Sequence, residues 1–224
     1  MCKSIYSDFR GAADQDVRHG DERRMKGFLK RLVSRLQPKE RLSVGARVEG
    51  ALPQAIQRVL VRGRGTLACG ENVQFGWQQS PCFESTYAYV EARFPRSKIT
   101  IGDDCIFSND AAIVSEHECN EGSIVIGSRC VFGVGFRCYD SDFHGLQAAH
   151  RHDRKCIRTA RVVIGDDCFF GERCMVLKGV TLGNRCVVGA GSVVTKSFPD
   201  DSLIAGNPAI LVRRIDQVGL KSGE

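Results

Sequence analysis

From Ile164 to Pro199 the chain reads IGDDCF, FGERCM, VLKGVT, LGNRCV, VGAGSV, VTKSFP, six hexapeptides without a gap. An aliphatic or aromatic residue opens each one: Ile164, Phe170, Val176, Leu182, Val188 and Val194. The second position is glycine four times. The fifth is small or medium in Cys168, Cys174, Val180, Cys186 and Ser192, and Phe198 breaks the slot. The same pattern occurs earlier as IGDDCI and FSNDAA from Ile101, IGSRCV and FGVGFR from Ile126, and as a first coil in GENVQFG at Gly70 to Gly76. A six-residue period fits neither a 3.6-residue helix nor an alternating hairpin strand. It fits short strands separated by turns and stacked in coils.

In such a stack the opening residue points inward and fills the core. Glycine in second position is expected to supply corner conformations that a Cβ penalises. The fifth position faces a narrow interior, where cysteine acts as a small hydrophobe. Cys105, Cys130, Cys168, Cys174 and Cys186 all fall on this slot, and they are read as packing rather than thiol chemistry. The eleven cysteines are odd in number and include no CxxC pair, which argues against a disulfide framework or a zinc knuckle. With no apolar run long enough to span a bilayer and no secretory leader, a reducing, cytoplasmic setting is expected.

Breaks in the period predict loops at residues 77 to 100, near 117 to 123, and at 139 to 160. The expected organisation is an N-terminal basic segment over 1–45, a solenoid over 46–216 and a tail over 217–224. Residues 1–41 carry eleven Lys/Arg against six Asp/Glu, so most of the net charge of +6 sits there and a uniform nucleic-acid surface is excluded. Met25, Phe28, Leu29, Leu32, Val33 and Leu36 follow helical spacing, and Pro38 ends the run. Two readings stand for this short helical segment. It packs on the solenoid or a neighbouring subunit, or residues 21–37 lie on an anionic membrane surface at its inner face.

The repeat resembles that of the hexapeptide-repeat acyltransferases, whose fold is an all-β solenoid, a left-handed parallel β-helix. The handedness rests on that resemblance, since parallel crossovers in general run right-handed. GAGSVVTK at Gly189 to Lys196 and AGNPAILVRRI at Ala205 to Ile215 look like the C-terminal signature of the sugar and polysaccharide O-acetyltransferase branch. The resemblance implies a homotrimer with acetyl-CoA as co-substrate in the groove between subunits, and no metal. It implies cofactor contacts at Glu172, Ala190, Gly191, Thr195, Lys196, Asn207, Pro208 and Arg213. Ile210 stands where many relatives carry a basic residue, and Arg214 is positioned to substitute.

YDSDFHGL at Tyr139 to Leu146 sits where the period stops. In the resembled enzymes a histidine here is the general base, and His144 is the match. The chemistry needs one because a sugar hydroxyl is a poor nucleophile until its proton is taken. Asp140 and Asp142 either orient the imidazole, bind the acceptor or simply shape the turn. Asp110 and Glu116, on the preceding coil, fall where some relatives place acceptor-binding acids. His150 and His152, in a basic loop, read as solvated or as contacts for an acidic group. A carbohydrate hydroxyl is the leading acceptor; an antibiotic or serine is the alternative within the class. A γ-carbonic-anhydrase-like zinc enzyme is the rival outside it. It requires three histidines from separate positions, whereas His144, His150 and His152 share one insertion and only His117 lies on an earlier coil.

Overall fold

The computed structural model describes residues 42–119 and 122–216. The helical reading of residues 21–37, and the tail over 217–224, lie outside these. The first strand, Leu42–Val44, precedes the division expected at 45/46 and already pairs with Val59–Gly63. Three sheets of seven, six and eight strands, parallel except for the last strand of the eight, form the faces of the solenoid. Val163 pairs with Thr181, Phe169 with Val187 and Met175 with Val193, an eighteen-residue step on all three faces. Three hexapeptides therefore make one coil, and the fold is the expected left-handed parallel β-helix.

The opening residues are the core. Phe75, Phe107, Phe132 and Phe170 stack along one face with centroids 4.6, 4.3 and 4.9 Å apart, and Phe136 packs edgewise against Phe170. The five slot cysteines are all at most 1% exposed, as the packing reading requires. Their thiols donate to backbone carbonyls, as Cys105 Sγ does to Gly127 at 3.1 Å and Cys130 Sγ to Gly165 at 3.2 Å.

The corner works differently from the expectation. Positive φ falls on the fourth position of the hexapeptide, at Asp104, Arg129, Asp167, Arg173 and Arg185, not on the second-position glycine. The glycine is needed for close approach between coils. A Cβ on Gly102 would lie 2.7 Å from the Gly127 carbonyl carbon, one on Gly127 2.7 Å from that of Gly165, and one on Gly165 2.7 Å from that of Gly183. Asp104, Arg129, Asp167 and Arg185 stack at one corner into a column of alternating sign. Arg129 Nε meets Asp167 Oδ1 at 2.7 Å, and Arg185 Nε meets Asp201 Oδ1 at 2.7 Å.

The segment expected as one loop over 77 to 100 contains two strands, Ala88–Ala92 and Lys98–Ile101, both paired into the sheets. Ala88, Val90 and Ala92 alternate inward, but no second-position glycine flags the coil. The excursions are the shorter stretches at 76–87 and 93–97. The longest runs from Asp140 to Arg161 and contains two single-turn 3₁₀ helices, Ala148–His150 and Arg154–Cys156. Among the described residues no helix is long and apolar enough to cross a membrane. The last two strands, Ser202–Gly206 and Ala209–Arg214, form an antiparallel hairpin whose second strand is exposed after Ala209.

Candidate active site

Asp140 opens the long excursion and is fully buried. Its Oδ2 accepts from Ser115 Oγ at 2.6 Å and from the His117 N–H at 3.2 Å, and its Oδ1 from the Glu116 N–H at 2.7 Å. Burial holds its carboxyl above the usual carboxylate range, with the three donors pulling the other way. Both oxygens are spent on the preceding coil, so Asp140 anchors the excursion rather than touching the imidazole. Asp142 pairs with Lys178 Nζ at 2.5 Å, which ties the excursion to the next coil.

His144 lies between these anchors and the first 3₁₀ turn and is exposed. Its Nδ1 lies 3.3 Å from the Arg151 carbonyl oxygen. A carbonyl only accepts, so Nδ1 carries the hydrogen, and in the neutral ring Nε2 then keeps its lone pair. The His152 ring stands edge-on to it at 5.5 Å.

Glu116 accepts from Arg93 Nη1 at 2.5 Å and from Ser141 Oγ at 2.5 Å. It borders a cavity of about 290 Å³ together with Phe94, His117, Glu118, Arg154 and Thr159. His117 Nδ1 lies 3.0 Å from Thr159 Oγ1, and Arg154 lies over the Phe94 ring at 3.9 Å. His117, Glu118 and Arg154 were not singled out as site residues by motif. They meet only because the excursion folds back on a loop some forty residues earlier, and no local pattern marks that. Asp110 is turned elsewhere, with Arg137 Nη2 on its Oδ2 at 2.8 Å.

The cofactor-type residues come together at the C-terminal coils. Ser192 is buried; its Oγ donates to the Gly189 carbonyl at 2.6 Å and accepts from the Gly206 N–H at 3.1 Å. That single hydroxyl staples the Gly189–Ser192 turn to the turn at Asn207–Pro208, whose peptide is cis. The Gly191 N–H donates to the Glu172 carbonyl at 2.7 Å, which brings Glu172 beside the same turn. Gly191 has φ +71° and nothing within 4 Å of where a Cβ would be, so the turn presents an open, small-residue surface. Thr195, Lys196 and Arg213 are exposed, with Lys196 Nζ 5.6 Å from the Phe198 ring.

Fold and repeat together define a hexapeptide-repeat left-handed β-helix protein. A family model described as the hexapeptide repeat of succinyl-transferase matches residues 161–196. Among curated proteins, the chain is 45% identical over 73 residues to "Putative acetyltransferase SACOL2570" of Staphylococcus aureus strain COL, covering 33% of this chain and 36% of that protein. It is 32% identical over 117 residues to "Putative colanic acid biosynthesis acetyltransferase WcaF" of Escherichia coli strain K12, covering 52% of this chain and 58% of that one. The chain thus spans between about a third and three fifths of the curated relatives it matches. Among solved structures, the polysialic acid O-acetyltransferase OatWY superposes with TM-score 0.55 at 17% identity, over 82% of this chain and 90% of that one. The polySia-specific acetyltransferase NeuO gives 0.54 at 22% identity, over 82% and 92%. These two likenesses establish the fold.

Proposed function

We propose that this chain transfers an acetyl group from acetyl-CoA to a carbohydrate hydroxyl, as a homotrimer, with His144 as general base. The observation that carries the reading is the state of His144. It is exposed on an excursion anchored just before it by Asp140 and Asp142, and the Arg151 carbonyl favours the neutral tautomer whose Nε2 accepts a proton. In the reaction, Nε2 takes the acceptor hydroxyl's proton as the oxygen attacks the thioester carbonyl. When the tetrahedral intermediate collapses, the imidazolium returns that proton to the departing CoA sulfur. No covalent acyl-enzyme is needed.

The stapled turns at 189–192 and 206–208 support a cofactor groove. Their small residues let an extended pantetheine arm approach the backbone, and Lys196 and Arg213 supply cations for phosphate groups. The matched hexapeptide-repeat model, residues 161–196, includes the first of these turns. A trimer is supported by one sheet's outward column, Ile106, Val131, Phe169, Val187 and Leu203, in register across five strands. Val131 and Phe169 are 39% and 49% exposed in the single chain, and Ile210, Leu211 and Val212 extend the apolar surface along the hairpin.

Steady-state kinetics on an acceptor found by screening for CoA thiol release test the assignment. His144→Ala is expected to lower kcat by roughly 100- to 10,000-fold with CoA affinity unchanged. Lys196→Ala or Arg213→Ala removes binding shared by ground and transition states, so KM for acetyl-CoA rises at similar kcat. If His144→Ala keeps more than about a tenth of kcat, the base lies elsewhere.

A further inference from the structure

Residues 147–157 run as three consecutive tight turns. The His150 N–H donates to the Gln147 carbonyl at 3.0 Å, the Asp153 N–H to His150 at 3.1 Å, and the Cys156 N–H to Asp153 at 3.0 Å. Each bond spans three residues, and side chains three apart in such turns eclipse one another. A histidine, a carboxylate and a thiol occupy that spacing. One ligand atom from each of His150, Asp153 and Cys156 lies within 4.8 Å of the other two. Asp153 Oδ1 is held by the Lys155 N–H at 3.0 Å, while Oδ2 faces Cys156 Sγ at 3.9 Å. The neighbouring guanidinium groups are turned away. Arg154 lies over Phe94, and Arg151 reaches toward the Leu146 carbonyl.

We propose that His150, Asp153 and Cys156 bind a zinc ion, with water in the fourth position. The mixed nitrogen, oxygen and sulfur donors suit a borderline-soft cation and not magnesium or calcium, which take oxygen ligands. Tetrahedral zinc at bond lengths of about 2.0–2.3 Å sets its ligand atoms roughly 3.3–3.7 Å apart. The Asp153–Cys156 pair is already near that spacing, and closing the rest takes a side-chain rotation of about 1 Å on an exposed turn. Thiolate and carboxylate together neutralise the ion. As the Zn–S bond forms, the Cys156 thiol loses its proton to solvent.

The ion would fasten the turn beneath His144. A Cβ on Gly145 would meet the His150 carbonyl oxygen at 2.3 Å and Cys156 Cβ at 3.1 Å, so the residue following His144 packs directly on two of the ligands. The site itself rests on three residues outside the proposed chemistry and stands whether or not His144 is the base.

Cobalt(II) is the probe, titrated into the full chain in which Cys2, Cys82 and Cys119 are replaced by serine. One equivalent is expected to give a near-ultraviolet thiolate-to-cobalt band, removed by zinc, with one proton released per ion in weak buffer. Cys156→Ser should abolish the band. His150→Gln and Asp153→Asn should each weaken zinc binding by more than about 10-fold. Zinc should also protect Cys156 of the unsubstituted protein from iodoacetamide, read by mass spectrometry of the tryptic peptide, a measurement that needs no variant to fold. A missing band, a band that survives Cys156→Ser, zinc affinity indifferent to His150→Gln and Asp153→Asn, or alkylation of Cys156 undiminished at saturating zinc would each overturn the proposal.

Discussion

Replacing Asp140 separates the cost of burying its charge from the value of the hydrogen bonds it accepts. Asp140→Ala leaves the Glu116 and His117 N–H groups without an acceptor, since Ser115 alone can rotate to another partner. Each buried orphan costs about 1–3 kcal/mol, so the pair costs roughly 2–6 kcal/mol. Removing a desolvated carboxylate offsets part of this near neutrality, which places the expected loss in the lower half of that range. Asp140→Asn keeps one acceptor oxygen and turns an amide NH₂ toward the other donors, stranding one N–H at about 1–3 kcal/mol. The pH dependence has a definite sign. Burial raises the folded carboxyl's pKa, so the native state binds that proton more tightly than the unfolded chain. Stability from this group is fullest below the ordinary carboxylate range and is lost as pH rises through the folded value. The gap between wild type and Asp140→Asn should therefore narrow from about pH 4 upward. Denaturant midpoints at fixed protein concentration measure it. A gap that widens with pH would show that the donors outweigh burial. An Ala variant within about 0.5 kcal/mol of wild type would show that Asp140 anchors nothing.

Gly165→Ala drives a Cβ to 2.7 Å from the Gly183 carbonyl carbon, and overpacking of about 1–3 kcal/mol should appear as a lowered Tm. The five slot cysteines should resist alkylation in native protein and react after denaturation, with Cys82, which is exposed, labelling first. Sedimentation should give a trimer, and replacing Phe169 and Val131 with lysine should shift it toward monomer; a monomer retaining full activity would remove the shared-groove reading.

The core was legible because one repeat carries it. Openers such as Phe107, Phe132 and Phe170 and the cysteine slot follow from a six-residue period that needs no tertiary knowledge. The reason for the glycines was not legible, because the constraint lies between coils eighteen residues apart and the sequence displays only the corner. The strand at 88–92 escaped notice because Ala and Val alternate there without the glycine that marks other coils, and that at 98–101 because it runs three residues ahead of Ile101, where the hexapeptide pattern begins. Within the site, the resemblance to the hexapeptide-repeat acyltransferases singled out His144, Gly191 and Asn207. It did not reveal that Asp140 spends both oxygens on Ser115, Glu116 and His117, nor that Arg154 and His117 border one cavity. Those depend on where an excursion lands after leaving the repeat.

The column of fourth-position residues gives the solenoid a parity. Reading one coil at a time from Asp104 to Asp201, sign alternates as acid, base, acid, base, acid. Nearly interchangeable hexapeptides offer little else to prevent coils from being counted wrongly. Excising the single coil that bears Asp167 would set Arg129 against Arg185, whereas excising that coil and the next would set Arg129 against Asp201. Solenoids of this sequence type should accordingly lose or gain coils more readily in pairs than singly, and an exchange of coils between chains should favour even offsets.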